Sequence, residues 1–275
     1  MHRLLCVAYG RDDIRTQAHY AAMTALAHAG DAPLAIHVLT DAPEAFLPLA
    51  GRIELHAATP PELDAWLGPE RFPLRVKPAA VRDFIRRFPS DPFLLVDADT
   101  FFVGDVRRVL DRIRPGAAVL WEREYAVATS DTALMHRFRR RMRRARFGGA
   151  PVDLAVDMWN SGAVGLHPAQ FGVVDEWLAF VDEVYPATRR WILEQFAISW
   201  VLQRRGVSLS PCDDVLVHYW FDKPGHLAAA RAALERARTL PFEEALAAIR
   251  ANPIDLPRTR GWGKKANFFQ RTFGW

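Results

Sequence analysis

Apolar and polar residues alternate with two different periods along the first hundred positions. Short continuous apolar runs, typical of strands buried on both faces, alternate with stretches in which apolar residues recur every three or four positions, as in helices. Strands that alternate with helices form parallel sheets, so we expect an α/β fold that binds ligands at the carboxyl ends of its strands. The predicted strands are 3–9, 34–39, 53–56 and 92–96, the predicted helices are 13–29 and 78–88, and 41–50 is a short helix or loop.

The same two periods continue through the rest of the chain without an internal repeat or a linker. We therefore expect one main domain over residues 1–222 and a helical extension over 223–275, whose last part is rich in Pro, Gly, basic and aromatic residues. The predicted strands are 117–120, 163–166 and 215–218, and the predicted helices are 130–146, 168–184, 190–204, 224–238 and 242–250.

Composition narrows the class of protein further. The chain has 275 residues, of which 25% are charged, and its 36 basic and 32 acidic side chains leave a net charge of +4. No apolar run reaches the roughly 18 residues of a membrane span, and the run at 4–9 ends too early for a signal peptide, so we expect a cytoplasmic protein. Two cysteines, Cys6 and Cys212, are too few for a disulfide framework and are expected to be buried thiols.

The strongest chemical signal follows the apolar strand at 92–96. Asp97 and Asp99 are separated by one residue at its carboxyl end, where ligands bind in an α/β sheet. Two carboxylates held together there suit a divalent cation, because neither can be buried without a compensating charge. An isolated Asp-x-Asp is also compatible with a simple polar turn.

Three later segments carry further candidate chemistry. Asn160-Ser161-Gly162 precedes a predicted strand, and its glycine suits close approach of a bulky polar ligand to the backbone. Glu194 and Gln195 are a polar pair in an otherwise apolar helix, so at least one of them is expected to face the interior. His218 ends a short apolar strand with an imidazole, which is a good ligand for transition metals. Each of these segments alone is equally compatible with a structural role.

Together and in this order, the four segments resemble the nucleotide-sugar glycosyltransferases of the GT-A fold, and most closely the retaining, galactosyltransferase-like group called family 8. In that family a strand ends in Asp-x-Asp, and an Asn-Ser-Gly or Asn-Ala-Gly turn, an acidic-Gln pair and a histidine follow. The resemblance spans most of the predicted main domain. It implies a mainly parallel central sheet flanked by helices, a catalytic domain over 1–222, and transfer of a sugar, most simply a hexose from a UDP-hexose donor.

The resemblance also implies a role for each matching residue. Asp97, Asp99 and His218 correspond to metal ligands, and their nitrogen and oxygen donors suit Mn²⁺, with Mg²⁺ as the alternative. Glu194 and Gln195 correspond to the residues at the reaction centre, with Gln195 nearest the anomeric carbon. The expected donor-binding residues are Tyr9, Asp12, Lys77, Arg82, Ala98, Asn160, Ser161 and Lys223.

This chain departs from the family pattern at two places. The family often continues its histidine as His-Tyr-x-Gly-x-x-Lys-Pro-Trp, whereas the segment from His218 to Gly225 lacks the first glycine, is one residue shorter to Lys223 and has Gly225 in place of the tryptophan. The acidic-Gln pair is usually Asp-Gln, and Glu194 is one methylene longer. Retention of stereochemistry is implied by the family alone.

Two other classes of function remain open at this point. Phosphoryl-transfer hydrolases also use Asp-x-Asp, but after the first strand, and no Walker-type glycine loop is present. The arginine-rich run at 136–146 and the aromatic tail are compatible with nucleic-acid binding, but a net charge of +4 is small for it and no nucleic acid is expected. The run instead suggests an anionic or lipid-linked saccharide acceptor, and the tail at 262–275 suggests peripheral attachment to an anionic membrane.

Overall fold

The computed structural model describes residues 1–255. Within this part of the chain, short strands alternate with helices as the apolar pattern predicts, and three 3₁₀ helices, Pro43–Leu49, Pro73–Arg75 and Pro168–Gln170, connect them. The strands are β1 His2–Ala8, β2 Leu34–Thr40, β3 Glu54–Ala57, β4 Phe93–Val96, β5 Thr100–Phe102, β6 Ala117–Leu120, β7 Arg123–Ala126, β8 Arg146–Phe147, β9 Ala150–Pro151, β10 Asp157–Trp159, β11 Ala163–Leu166, β12 Ser208–Ser210 and β13 Leu216–His218. The helices are α1 Asp12–Ala29, α2 Pro60–Leu67, α3 Val76–Arg87, α4 Arg107–Leu110, α5 Ala133–Met142, α6 Gly172–Thr188, α7 Leu193–Arg204, α8 Lys223–Ala237 and α9 Phe242–Ala251.

The central sheet of residues 1–255 has seven strands in the order β12-β6-β11-β4-β1-β2-β3. Neighbouring strands are parallel except at β11, which is antiparallel to both β4 and β6. After β3 the chain returns to the other side of β1 to form β4, so the strand order reverses between β1 and β4. Ligands of open α/β sheets bind in the crevice at such a reversal. The predicted α/β class with a mainly parallel central sheet flanked by helices is confirmed.

Two apolar cores cover the two faces of the sheet. Leu5 and Leu95 point into one core with α2, α3, α6 and α7, whereas Leu4 and Leu94 point into the other with α1, α8 and α9. Neighbouring residues of each strand therefore face opposite cores, which explains why these strands are continuous apolar runs. Cys6 and Cys212 are buried free thiols, as expected.

The C-terminal helices pack against the main domain. Buried alanines of α8, including Ala230 and Ala233, share a core with Ala18 and Ala22 of α1, and Ile249 of α9 lies in the same core. Alanine allows helices to approach closely, so α8 and α9 extend the apolar core on the α1 side of the sheet. The boundary between residues 222 and 223 stays a prediction.

Several elements differ from the predicted ones. The helix predicted over 130–146 is only Ala133–Met142, and the chain then forms the β8–β9 hairpin at Gly148 and Gly149, which both have positive φ. Glycine adopts this conformation at little cost, so the pair forms the turn of the hairpin. Helix α2 was not predicted from the apolar pattern, although Thr59 and Glu62 form a capping box at its start.

Candidate active site

Three elements bring the predicted metal ligands together. Asp97 and Asp99 follow β4, and the turn between them and β5 is held by the Thr100 hydroxyl, which donates to the Asp97 carbonyl at 2.7 Å. The Asp97 amide donates to the Gly162 carbonyl at 2.9 Å, which ties this turn to the start of β11. In the antiparallel pairing of β13 with β5, His218 stands opposite Thr100. Strand register thus places the imidazole beside both carboxylates.

The side chains of Asp97, Asp99 and His218, here called the Asp-Asp-His group, have the geometry of a metal site. His218 Nε2 lies 3.7 Å from Asp97 Oδ2 and 3.5 Å from Asp99 Oδ1, and one ligand atom from each residue lies within 4.8 Å of the others. The three side chains are therefore close enough together to hold one cation. Mixed nitrogen and oxygen donors suit Mn²⁺, and Mg²⁺ less well.

Asn160 orients the imidazole of this group. Its Oδ1 accepts from the Gly162 amide at 2.8 Å and its Nδ2 donates to Glu124 Oε1 at 2.9 Å, and both contacts agree on the orientation of the amide. His218 Nδ1 lies 2.9 Å from the same Oδ1 and must therefore donate to it. The lone pair of a neutral imidazole is then on Nε2, which faces Asp97 and Asp99. A hydrogen bond of this kind on the far nitrogen is typical of metal-binding histidines.

Gly162 leaves the space that the imidazole occupies. A Cβ at this position would lie 2.1 Å from His218 Nδ1, far inside van der Waals contact. The sequence pattern led us to expect that a bulky polar ligand approaches this glycine, but the group that approaches is a side chain of the protein itself. Gly165, in the following strand, similarly makes room for Ile113 and Val119.

A buried lysine connects the metal site to the acidic-Gln pair. Lys77 of α3 donates to Asp97 Oδ2 at 2.8 Å and to the Ser161 hydroxyl at 3.3 Å, and its Nζ lies 3.7 Å from Glu194 Oε2. Ser161 also donates to Glu194 Oε2 at 3.0 Å. Burial alone lowers the pKa of Lys77, but the negative charges of Asp97 and Glu194 outweigh it and raise the pKa above its ordinary value. Lys77 is therefore a fixed positive charge.

Glu194 is the buried member of the acidic-Gln pair. Its side chain is 1% exposed, and burial raises its pKa to about 7 despite the nearby charge of Lys77. Among the described residues, its Oε1 is buried and has no hydrogen-bond partner. An unsatisfied buried carboxylate oxygen costs free energy, so this atom is suited to accept a hydrogen bond from a bound polar group.

Lys223 gives Asp99 its counter-charge. The ammonium group of Lys223, the first residue of α8, lies 2.8 Å from Asp99 Oδ2. Burial raises the pKa of Asp99, but His218 and Lys223 outweigh it and hold the pKa well below its ordinary value. The Lys223 side chain is 55% exposed, so it can also reach an anionic ligand that enters the site. In the sequence, Lys223 is one residue closer to His218 than in the family pattern, and the structure nevertheless places it at the metal site.

Gln195 contacts an acidic residue that the sequence did not single out. Its Nε2 donates to Glu124 Oε2 at 2.7 Å, while the other oxygen of Glu124 accepts from Asn160. Nearby, burial raises the pKa of Glu122 to about 7, with the like charges of Glu124 and Asp213 adding to the effect. The available signal was the position of Glu122 and Glu124 just beyond the strand at 117–120, at the same edge as the other candidates.

Four of the predicted donor-binding residues lie outside this network of contacts. Tyr9 follows β1 and donates from its hydroxyl to the Pro73 carbonyl at 3.2 Å. Asp12 is 95% exposed and pairs with Arg15. Arg82 lies on α3 beyond Lys77, and Ala98 is buried between the two aspartates without a polar side chain to offer.

A second group of metal-binding residue types lies at the β2–β3 edge. His37 Nδ1 lies 2.9 Å from His56 Nε2 and 3.3 Å from Glu54 Oε2. However, Arg3 approaches His37 Nε2 at 3.0 Å and Arg87 approaches His56 Nδ1 at 3.4 Å. Metal-binding histidines usually donate to an acceptor from their far nitrogen, and here each far nitrogen faces a guanidinium. These positive charges disfavour a cation, so we assign the group a structural role.

The sequence suggested that the tail of the chain attaches the protein to a membrane. The tail at 262–275 lies outside the described residues. No helix among residues 1–255 combines the length and the apolar character that crossing a bilayer requires.

Comparisons with known proteins give a distant structural similarity but no family. No protein-family model matches the chain, and no curated protein sequence matches it. Among solved structures, the chain is similar to the apo form of mouse xyloside xylosyltransferase 1, with 14% sequence identity and a TM-score of 0.49. The match covers 77% of this chain and 85% of the mouse protein. A likeness at this level carries no conclusion about fold or activity.

Proposed function

We propose that this chain is a metal-dependent GT-A glycosyltransferase that moves a sugar from a nucleotide-sugar donor to a saccharide acceptor. The observation that carries the proposal is the Asp-Asp-His group, whose imidazole is oriented by Asn160. The four sequence segments that resemble family 8 are distant along the chain, yet they form one connected network at the strand-order reversal. Four functionally unrelated polar segments would have no reason to meet there.

The residues present fit a divalent cation, with Mn²⁺ as the first choice. When bound, the cation would act as a Lewis acid that stabilises negative charge on a departing nucleoside diphosphate. Asp97, Asp99 and His218 would hold it. Glycosidases use two carboxylates on opposite sides of the sugar. Here both aspartates would bind the metal, so we do not propose a glycosidase mechanism.

The chain's own charges complete the donor site. Lys77 and Lys223 each neutralise one aspartate, and the exposed ammonium of Lys223 is available to a phosphate oxygen of the donor. Glu194, with its unsatisfied Oε1, is proposed to accept a hydrogen bond from a donor-sugar hydroxyl. Gln195, held by Glu124, is proposed to lie at the anomeric carbon. Positioned groups of this kind catalyse by orientation and electrostatic stabilisation.

The identity of the donor and the residues that contact it are further parts of the proposal. A UDP-hexose donor and retention of stereochemistry follow from the family resemblance alone. Tyr9, at the carboxyl end of β1, is proposed to stack on the nucleobase, with Asp12, Arg82 and Ala98 as further donor contacts. A cytoplasmic enzyme attached to anionic membranes through its tail is also part of the proposal, and co-sedimentation with anionic and neutral vesicles before and after deletion of 262–275 tests it.

A thermal-shift screen tests the proposed activity class. UDP-, GDP-, ADP- and TDP-sugars are each added with Mn²⁺ and with EDTA, because a ligand that binds only the folded state raises the melting temperature. We expect one nucleotide class to stabilise the protein in Mn²⁺ but not in EDTA. Stabilisation by none of the four, or equal stabilisation with EDTA, would contradict the proposal.

A further inference from the structure

Helix α7 carries a polar face that extends beyond its acidic-Gln pair. Gln195, Ser199 and Gln203 recur every four residues, so they lie along one side of the helix. The residues between them are apolar, and Ser199 itself is fully buried. A buried polar side chain needs a hydrogen-bond partner, so this face must pack against polar groups of another element.

The polar groups opposite this face belong to the backbone of β10. The Trp159 amide donates to the Ser199 hydroxyl at 3.0 Å, and the proton of this hydroxyl faces the carbonyls of Gln195 and Trp159, at 2.8 and 3.1 Å. The Asp157 amide donates to Gln203 Oε1 at 2.9 Å, and Gln203 Nε2 donates to the Asp157 carbonyl at 2.8 Å. The two side chains therefore take the place of a neighbouring strand on one edge of β10, while β7 pairs with its other edge.

The repeats of the helix and the strand match, and this match sets a register between them. Four residues of an α-helix rise about 6.0 Å and two residues of a strand about 6.8 Å, so the two polar side chains meet alternate residues of β10. One more step in this register takes the first turn of α7 to Ser161. There the Ser161 hydroxyl donates to Glu194 Oε2 at 3.0 Å. Beside it, Gln195 Nε2 donates to Glu124 Oε2 at 2.7 Å. The polar face therefore ends at the candidate reaction centre.

Apolar packing alone defines this register only loosely. The apolar residues of α7 lie in the core that it shares with α6, and hydrophobic contact has no preferred direction along the helix axis. The hydrogen bonds of Ser199 and Gln203 do have a direction, and each ties the helix to one residue of β10. Without them the first turn of α7 could shift against the turn at 160–162. A displacement of about 1 Å at a reacting group can cost a hundredfold in rate.

We propose that Ser199 and Gln203 are positioning residues that hold Glu194 and Gln195 in register with the turn at 160–162. This inference rests on the proposed function, because it gives two residues that touch no substrate a part in the same reaction. Both act through the backbone of β10, at about one and two helical turns from Gln195. Their loss is expected to slow the reaction while the Asp-Asp-His group keeps its affinity for a cation.

The turn at 160–162 has supports of its own, which is why the metal site is expected to survive. The Trp121 amide donates to the Asn160 carbonyl at 3.0 Å, and the Asn160 amide donates to the Glu122 carbonyl at 2.8 Å. On the other side, the Asp97 amide donates to the Gly162 carbonyl. A shift of α7 therefore separates the reaction-centre pair from a turn that stays in place.

The side-chain amide resonances of Gln195 test the register without any substrate. These NMR resonances, assigned by their loss in Gln195→Ala, report the hydrogen bond to Glu124 in the wild-type chain. In Ser199→Ala and in Gln203→Met we expect them to move toward the position of a solvent-exposed amide. Gln170→Met is the matched control, because it also removes a glutamine amide that donates to a backbone carbonyl, at 3.0 Å, but at the opposite end of β11. The control should leave the Gln195 resonances unchanged.

Steady-state kinetics tests the consequence for the reaction. With the donor found in the thermal-shift screen, Ser199→Ala and Gln203→Met should lower kcat about tenfold or more, with little change in KM or in Mn²⁺ affinity. Gln170→Met should also lower the melting temperature but keep the wild-type kcat, which separates positioning from general destabilisation. Ser199→Ala removes a single oxygen atom, so it keeps the test valid if Gln203→Met misfolds.

The outcomes distinguish failure of this inference from failure of the proposed function. Wild-type Gln195 resonances in both variants, or wild-type kcat in both, overturn the positioning role. An equal fall of kcat in Gln170→Met also overturns it and assigns the effect to stability. If the wild type binds no UDP in Mn²⁺ but the Gln195 resonances still move in both variants, the register assigned to Ser199 and Gln203 stands and the proposed function fails.

Discussion

At the scale of single residues, the candidate active site depends on one glycine. Gly162 has room for no side chain because the His218 ring occupies that space, and its amide donates to the same Asn160 oxygen that accepts from the ring. The glycine, the amide and the imidazole therefore form one unit that orients Nε2 toward Asp97 and Asp99. This unit makes the turn before β11 part of the metal site.

Gly162→Ala is therefore expected to abolish metal binding while the sheet remains intact. The added methyl group overlaps His218 and must displace the ring, so one of three ligands is lost. Binding of Mn²⁺ is measured by calorimetry and folding by circular dichroism. Gly172→Ala is the matched control, because a Cβ at that position meets no atom within 4 Å. Wild-type Mn²⁺ affinity in Gly162→Ala would show that His218 is not a ligand.

A second residue-scale prediction concerns Gln195. Its amide is held by Glu124 rather than by solvent, so it is oriented before any substrate binds. Gln195→Ala should lower kcat more than it raises KM, which is the pattern of an interaction made chiefly in the transition state. Steady-state kinetics with the donor found in the thermal-shift screen checks this. A change in KM alone would reassign Gln195 to donor binding.

At the scale of elements, strands that are continuous apolar runs are predictable from the sequence, whereas strands without such a run are not. β4 and β11 coincide closely with the predicted runs because both faces of these strands are buried. β5 has only three residues, and β7 contains polar and partly exposed residues, so neither forms a recognisable apolar run. The pairing of β5 with β13 nevertheless positions His218. The ligands could therefore be predicted as residue types, but their convergence depends on contacts between distant segments.

The edge formed by β2, β3 and α3 gives an element-scale prediction about acid stability. His37 is fully buried against Phe84 and Phe88, and burial, with the nearby His56 and Arg3, lowers its pKa from 6.5 to about 3. Between pH 6.5 and 3 the unfolded chain binds a proton at His37 that the folded chain does not. Stability should therefore fall as the pH falls through this range, by about 1.4 kcal/mol per pH unit from this residue.

Replacing the imidazole tests this linkage. His37→Gln is expected to be less stable than the wild type at pH 7, because ring contacts are lost, but to lose stability less steeply on acidification. Urea unfolding at a series of pH values gives both quantities. His136→Gln, which removes an exposed histidine, should follow the wild-type slope. Identical slopes for His37→Gln and the wild type would place the acid sensitivity elsewhere.

At the scale of the whole molecule, the strand order of the central sheet determines where the candidate active site lies. The reversal between β1 and β4 opens a crevice at their carboxyl ends. The candidate metal ligands follow β4 and end β13, and the residues that orient the imidazole precede β11. The sequence predicted this edge because apolar runs and polar turns can be recognised locally. It did not predict Glu124, because this residue carries no distinctive motif and becomes informative only through its neighbours in space.

The most direct measurement of the central claim is the affinity for UDP with and without a divalent cation. Calorimetric titration of UDP into the wild-type chain is carried out in Mn²⁺ and in EDTA, and repeated with Asp99→Asn and with Asp175→Asn, an exposed aspartate of α6, as the control. We predict binding in Mn²⁺ that EDTA abolishes, because the carboxylates of the Asp-Asp-His group otherwise repel the diphosphate. Asp99→Asn should lose this binding and Asp175→Asn should keep it. UDP affinity that is the same in EDTA as in Mn²⁺, or that survives Asp99→Asn unchanged, would contradict a metal-dependent nucleotide-sugar site.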